Sequence, residues 1–278
     1  MKKCKLILFD LDGTALKNDR KSLSQKLISA LEKAHNAGIH IAPITGRAFF
    51  CLPPQLKTNL PWKDIAVVNN GSEYRRFSDG QVISSVCIPW HYANEIIRIA
   101  EEYCIPIEIN APNKIILTKK DYESLIAFNF APLQHHIEND LKNYAHFTKD
   151  LKEYASQNRG ELLKLTMPFV ASEKRDEFFQ KIKEFPVSCV WGSAVGMEIT
   201  ESAATKGNSL LWLCEYYGIT KEECIAFGDS GNDISMLELA GIGVAMGNAP
   251  EFVKDSADLV ADTNNNDGVA KIIEEIIL

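Results

Sequence analysis

The sequence predicts an α/β fold: a Rossmann-like parallel-sheet core with a smaller α+β domain inserted into it. Three observations carry this. Short apolar runs recur at Leu6–Phe9, Ile39–Ile44, Ile65–Asn69 and Cys224–Asp229, each ending at polar residues. Stretches of helical spacing alternate with them through short joints, which is the unit of a parallel sheet. Between about Ile83 and Ile199 the alternation gives way to helix-strand-strand units around a polar middle, the pattern of a separate α+β layer. The core is therefore expected from residues 1–83 and 200–278, and the insert from residues 84–199.

Taken in order, Leu6–Phe9 reads as a buried strand. Ser22-Leu-Ser-Gln25 has the form of a capping box, and Leu23, Leu27, Ala30, Leu31 and Ala34 keep helical spacing until Gly38. Ile39–Ile44 is the second strand, and Thr45-Gly46-Arg47 leads into an expected new helix. Ile65–Asn69 is the third strand; Tyr74–Phe77 and Gln81–Ile83 flank Ser78-Asp79-Gly80 as a hairpin. In the insert, a helix from Pro89 to Cys104 precedes strands at Ile105–Ile109 and Lys114–Leu117, and Asp121–Gln157 is expected to be helical. A strand at Leu162–Met167, a helix at Ser172–Glu184 and strands at Val187–Trp191 and Met197–Ile199 complete it. Lys206-Gly207 opens a helix that stops at Gly218. Cys224–Asp229 is a strand ending in an acid, Ser230–Asp233 starts a helix through Met236, Leu237 and Leu239, and Gly243–Gly247, Asp258–Ala261 and a helix from Asp267 close the sheet.

Composition narrows the function. Hydrophobic residues make up 46% of the 278 and charged residues 24%, as in an ordinary globular protein. A net charge of -7 with scattered basic residues argues against nucleic acid as a partner. No apolar run approaches the roughly 20 residues that span a bilayer, so no membrane is expected. Lys2 and Lys3 precede an apolar stretch, but Asp10 and Asp12 interrupt it too early for a signal peptide, and a cytoplasmic location is expected. Seven cysteines without C-x-x-C spacing read as reduced thiols.

Chemistry concentrates where strands end. Asp10 and Asp12 follow the first strand directly, at the sheet edge where open α/β folds bind ligands. Two carboxylates this close repel unless a cation or a shared proton relieves them, and Mg²⁺ with oxygen ligands is the natural relief. Thr45 ends the second strand and is a candidate phosphate contact. Taken singly, Thr45 and Asn232 read as helix caps and Lys206 as a solvated surface lysine. Arg47 fits a substrate contact or a salt bridge on the sheet rim. His135-His136 reads as an exposed loop for want of a third metal ligand. Trp62, Trp90, Trp191 and Trp212 read as packing residues, and Cys51 and Cys224 as buried thiols.

In sequence order Asp10/Asp12, Thr45, Lys206, and Gly228-Asp229 through Asn232-Asp233 match the four motifs of the haloacid dehalogenase superfamily of phosphatases. The chain resembles most closely the Cof-type members, subclass IIB, whose α+β cap lies between the second and third motifs. The resemblance covers essentially the whole chain, including the closing Asn266-Asp267-Gly268-Val269-Ala270. It implies a Mg²⁺-dependent phosphatase of small phosphorylated metabolites, sugar phosphates or cofactor phosphates, with the cap setting specificity. It implies that Asp10 attacks phosphorus to give an aspartyl-phosphate and that Asp12 protonates the leaving group and later activates water. Asp229 would ligate the metal with the Asp10 carboxylate and the Asp12 carbonyl, and Asp233 directly or through water. Thr45, the Gly46 amide, Asn232 and Lys206 would hold phosphate oxygens. A phosphotransferase of phosphomutase type and a non-catalytic phosphometabolite sensor are the competing readings.

Overall fold

The computed structural model describes residues 4–58, 60–128, 130–192 and 195–277; Lys2 and Lys3 lie outside them. In chain order its first strands are β1 (Leu6–Phe9), β2 (His40–Pro43), β3 (Ile65–Val68), β4 (Glu73–Arg76) and β5 (Val82–Ser85). Then come β6 (Glu108–Ala111), β7 (Lys114–Thr118), β8 (Ala145–Thr148), β9 (Lys164–Met167), β10 (Val187–Trp191) and β11 (Met197–Glu201). The last are β12 (Cys224–Gly228), β13 (Ile242–Ala245) and β14 (Leu259–Val260). The chain divides into two units. One comprises the chain up to Arg47, Leu52–Ser84 and the chain from Thr205 onward; the other comprises Ala48–Cys51 and Ser85–Ala204.

The first unit holds a parallel sheet of order β14-β13-β12-β1-β2, extended to β3 by a parallel bridge from Ile44 to Val67. Every residue of β1 is 0% exposed because helices cover both faces, which is why the strand is a continuous apolar run rather than an alternating one. Leu6 and Leu8 pack with Leu210 and Leu213 of the helix Lys206–Tyr217 and with Met236 and Leu237 of the helix Ile234–Leu239. Phe9 points to the opposite face and meets Trp62 edge-on at 6.2 Å. The helix Gln25–Asn36 is capped by Ser24, whose hydroxyl accepts from the Leu27 amide, while Ser22 bonds to Asp19 instead. Past Thr45 the expected helix is reduced to the single turn Phe49–Cys51, since Pro53 and Pro54 follow at once.

The second unit is a six-stranded sheet, β10-β11-β9-β6-β7-β8. Alternation divides its faces. Ile109, Leu165, Met167, Met197 and Ile199 pack with Ile96, Ile97 and Ala100 of the helix Trp90–Glu102 and with Phe178 and Ile182 of the helix Arg175–Ile182. Glu108, Asn110, Lys164, Thr166, Glu198 and Thr200 occupy the alternate positions, so this face is polar, although most of it is shielded from solvent. Its groups pair with one another: Asn110 Nδ2 donates to Thr166 Oγ1 at 2.9 Å, and Lys164 Nζ to Glu198 Oε1 at 2.5 Å. Helical segments between Lys119 and Tyr144 pack over Ile115 and Leu117 of β7.

Three departures from the sequence reading lie here. Ile105 and Ile107 are buried but precede β6, since Pro106 between them has no amide to give a ladder. The polar middle contains β8, an edge strand. His135 and His136 close the helix Ala131–His136 rather than sitting in a loop. His136 Nε2 lies 3.0 Å from Glu108 Oε2 and Nδ1 lies 2.9 Å from Asp140 Oδ2, so both ring nitrogens face carboxylates and both donate. Burial alone would lower the His136 pKa, but Glu108 and Asp140 outweigh it and raise it to about 10. No described helix is long and apolar enough to cross a membrane.

His136→Ala leaves the Glu108 carboxylate, 1% exposed, without its cation. Breaking one side of a buried pair costs about 3–5 kcal/mol, and a urea titration at pH 7 measures the loss. Because the folded-state pKa is raised, the stabilisation is full below the unfolded value near 6.5 and fades as pH rises through about 10. The gap between wild type and variant therefore narrows at pH 10.5.

Candidate active site

β1 lies between β12 and β2, and the Asp10 amide continues the ladder by donating to the Phe227 carbonyl at 3.0 Å. The chain then makes a wide turn in which the Ala15 amide donates to the Asp10 carbonyl and the Leu16 amide to the Leu11 carbonyl. Gly13 takes φ +80° in this turn, and a Cβ there would stand 2.4 Å from Asp229 Oδ2, so both backbone and space demand glycine. The next residue, Thr14, donates its hydroxyl to Asp229 Oδ1 at 2.6 Å. The turn after β1 thus meets the end of β12.

Lys206 enters from the first turn of its helix, whose N-cap Thr205 accepts from the Asn208 amide. Its side chain is 1% exposed, and Nζ donates to Asp10 Oδ1 at 2.7 Å and to Asp233 Oδ1 at 2.5 Å. Burial would lower a lysine's pKa, but the two carboxylates hold Lys206 above its ordinary range. The other oxygen of Asp233 accepts from the Asp229 and Ser230 amides, both at 2.9 Å. Asp233 therefore shapes the loop after β12 while anchoring the lysine.

Asp10, Asp229 and Asp233 bring carboxylate oxygens within 4.8 Å of one another. Burial raises the Asp10 pKa well above the usual carboxylate range; Lys206 opposes this, and Asp233, Asp229 and Asp12 add to it. Burial and then Asp233 push Asp229 up to about 6, against the Thr14 hydrogen bond and Lys206. Three carboxyl groups crowd around one ammonium, and the donors are all hard oxygens. That set fits a divalent cation of the Mg²⁺ kind.

The Asp12 carboxylate turns elsewhere. Arg47 grips it with two bonds, Nε to Oδ2 at 2.6 Å and Nη2 to Oδ1 at 2.7 Å, and Arg20 Nε adds a third at 2.8 Å. Burial would raise its pKa, but the two guanidiniums lower it to about 2. The buried Thr45 accepts at Oγ1 from the Arg47 amide at 3.2 Å, with Gly46 between them in the same turn. Asn232 accepts from Ser230 Oγ at 2.7 Å and donates to Asn70 Oδ1 at 3.1 Å.

Every candidate residue read from the sequence thus lies at or beside a β-strand end or helix start of one unit. Asp10, Lys206, Asp233 and Asp229 are joined directly, Asp12 meets the Thr45 turn through Arg47, and Asn232 meets Asn70. Thr14, Arg20 and Asn70 also belong to this network and carried no assignment in the sequence. Thr14 closes the run Asp10-Leu-Asp-Gly-Thr14 that begins with the two acids, while no local pattern marks Arg20 or Asn70.

Residues 7–273 match the model of a family described as haloacid dehalogenase-like hydrolase. The chain is 27% identical over 274 residues to a 5-amino-6-(5-phospho-D-ribitylamino)uracil phosphatase of Bacillus subtilis, covering 97% of this chain and 96% of that protein. It is 28% identical over 270 residues to a pyridoxal phosphate phosphatase of Escherichia coli, covering 97% of each. Among solved structures, a haloacid dehalogenase-like hydrolase from B. subtilis superposes with a TM-score of 0.84 at 27% identity, over 98% of this chain and 99% of that one.

Lys206→Met leaves Asp10 and Asp233 facing each other with no cation between them. A loss of about 3–5 kcal/mol is expected, read as a lowered urea midpoint at pH 7.5. Adding Asp233→Asn removes one of the opposed charges and recovers part of the loss. An unchanged midpoint in Lys206→Met would show that the ammonium is not what stabilises the acids.

Proposed function

The chain belongs to the haloacid dehalogenase-like hydrolases, and we propose that it is a Mg²⁺-dependent phosphatase that cleaves phosphomonoesters of small metabolites through an aspartyl-phosphate on Asp10. The observation that carries this is the buried Asp10–Lys206 contact at 2.7 Å, with Asp229 and Asp233 converging on the same point. A phosphomonoester dianion repels an anionic nucleophile, so attack by a carboxylate needs positive charge on the phosphoryl oxygens. Asp10, Asp229 and the Asp12 main-chain carbonyl would hold Mg²⁺, which would supply that charge when bound. Asp233, whose oxygens already accept three hydrogen bonds, from Lys206 and from the Asp229 and Ser230 amides, adds its charge to the site and fixes Lys206.

In the proposed reaction an Asp10 oxygen forms a bond to phosphorus while the bond to the ester oxygen breaks, and the departing oxygen takes a proton from Asp12. Water then attacks the phosphorylated Asp10, gives its proton to Asp12, and releases inorganic phosphate with the carboxylate restored. Arg47 and Arg20 hold Asp12 ionised, which suits the water-activating half of this role. To donate a proton it must first leave those guanidiniums. Lys206, Thr45, the Gly46 amide and Asn232 steady the phosphoryl oxygens.

Two relatives bear names of phosphatases for different small phosphorylated compounds, which supports a small phosphomonoester as substrate, with sugar phosphates and cofactor phosphates as the first classes to test. We assign substrate selection to the inserted unit and place the enzyme in the cytoplasm.

Asp10→Asn removes the nucleophile, and activity with any ester should fall to background. Asp12→Asn keeps it but loses proton transfer, so turnover should fall roughly 10²–10⁴-fold. With an aryl phosphate, whose leaving group needs no proton, Asp12→Asn should accumulate phosphorylated enzyme, seen by rapid quench and intact-protein mass. Covalent phosphate on Asp10→Asn would overturn the mechanism. EDTA should abolish turnover and Mg²⁺ restore it.

A further inference from the structure

The segment that leaves β3 is built unlike any other strand end in the core. Asn69, Asn70 and Gly71 follow one another at φ 51°, 58° and 104°, three successive residues on the left-handed side of the backbone map. Side chains rarely adopt that region, and asparagine is among the few that tolerate it. The arrangement carries a further penalty, because Asn69 is 1% exposed and its Oδ1 has no hydrogen-bond partner among the described residues. Strain of this kind persists where the surroundings impose it and clusters at functional sites.

The contacts of the segment show what imposes it. The Asn69 amide donates to the Arg47 carbonyl at 2.9 Å and the Asn70 amide to the Thr45 carbonyl at 3.0 Å, so the loop is stitched to the turn after β2. Gly71 lies against the start of the Lys206 helix, where a Cβ would stand 2.6 Å from Ser209 Oγ and 2.9 Å from the Thr205 carbonyl. Asn70 Oδ1 accepts from Asn232 Nδ2. One loop thus touches the Thr45 turn, the Lys206 helix and the loop after β12.

The contact to Asn232 has a chemical consequence. An amide side chain presents an acceptor at one end and two N–H donors at the other, and only the donor end can bind a phosphoryl oxygen. Ser230 Oγ holds the acceptor end at 2.7 Å, and Asn70 takes one of the two N–H groups. The amide plane is fixed from both sides, and the second N–H is left as the donor. We propose that Asn70 is a positioning residue for phosphoryl binding: its Oδ1, carried on a left-handed backbone, orients the Asn232 amide so that its remaining N–H faces the phosphoryl group. This rests on the reading of Asn232 as a phosphoryl contact.

The test is a double-mutant cycle on the full-length Mg²⁺-loaded enzyme, with inhibition by orthovanadate and by inorganic phosphate as the readouts alongside kcat and KM. Asn70→Gly keeps the left-handed backbone and removes the acceptor; Asn70→Ser, whose hydroxyl is too short to reach, is the second variant. Each should weaken both inhibitors about tenfold, the scale of one hydrogen bond to a charged group, with Asn70→Gly melting at the wild-type temperature. In an Asn232→Ala background neither substitution should weaken binding further, because the proposed positioning runs through that amide. Full, additive losses in that background would overturn the proposal, as would wild-type inhibition in Asn70→Gly and Asn70→Ser. If Asn232→Ala alone leaves both inhibitors unaffected, it is the reading of Asn232 that fails.

Discussion

Lys206 Nζ sits between Asp10 Oδ1 and Asp233 Oδ1 with 1% of its side chain exposed, and an ammonium tolerates that burial only while both carboxylates remain. The rest of the core follows from placing those three groups. Asp10 needs a strand buried on both faces to bring it to the sheet edge, and β1 supplies one. Lys206 needs a helix start aimed at that edge, and the Thr205 cap fixes it. Asp233 needs a loop tight enough to fold back under β12, and its own carboxylate builds that loop by accepting two of the loop's amides.

The same crowding separates the two acids of the opening motif. Asp10 is surrounded by acids and raised; Asp12, two residues on, is gripped by two guanidiniums and lowered. Identical side chains two positions apart therefore rest in opposite electrostatic surroundings, one among carboxylates and a lysine, the other between two guanidiniums. The wide turn that carries Gly13 makes the difference, by sending one carboxylate toward β12 and the other toward the Arg47 turn.

The parts legible in the sequence are those whose cause is local. A continuous apolar run that stops at an acid marks β1 and β12, because a strand covered on both faces has no other way to be written. Lys206-Gly207 behind a threonine marks a capped helix start. The missed parts depend on partners distant in the chain. Arg20 reaches Asp12 only because the turn from Lys17 to Ser22 bends back, and Glu108 meets His136 only after two strands and two helices have been laid down. β8 was hidden for another reason: it is an edge strand with Phe147 about half exposed, so no alternation of burial is impressed on its residues. The cap of the first helix was misplaced by two residues because Ser22 and Ser24 are equally good candidates, and the preference of Ser22 for Asp19 decides between them.

The polar face of the inserted sheet constrains how this protein can diverge. Lys164 with Glu198, His136 with Glu108 and Asp140, and Asn110 with Thr166 are each matched in charge or in donor and acceptor. Replacing one member removes a partner from a group held largely out of solvent, whereas a compensating change in the other member restores the match. Substitutions within each pair are thus coupled in energy: the cost of one depends on whether its partner has changed. A library that varies these positions one residue at a time therefore samples mostly mismatched pairs on this face.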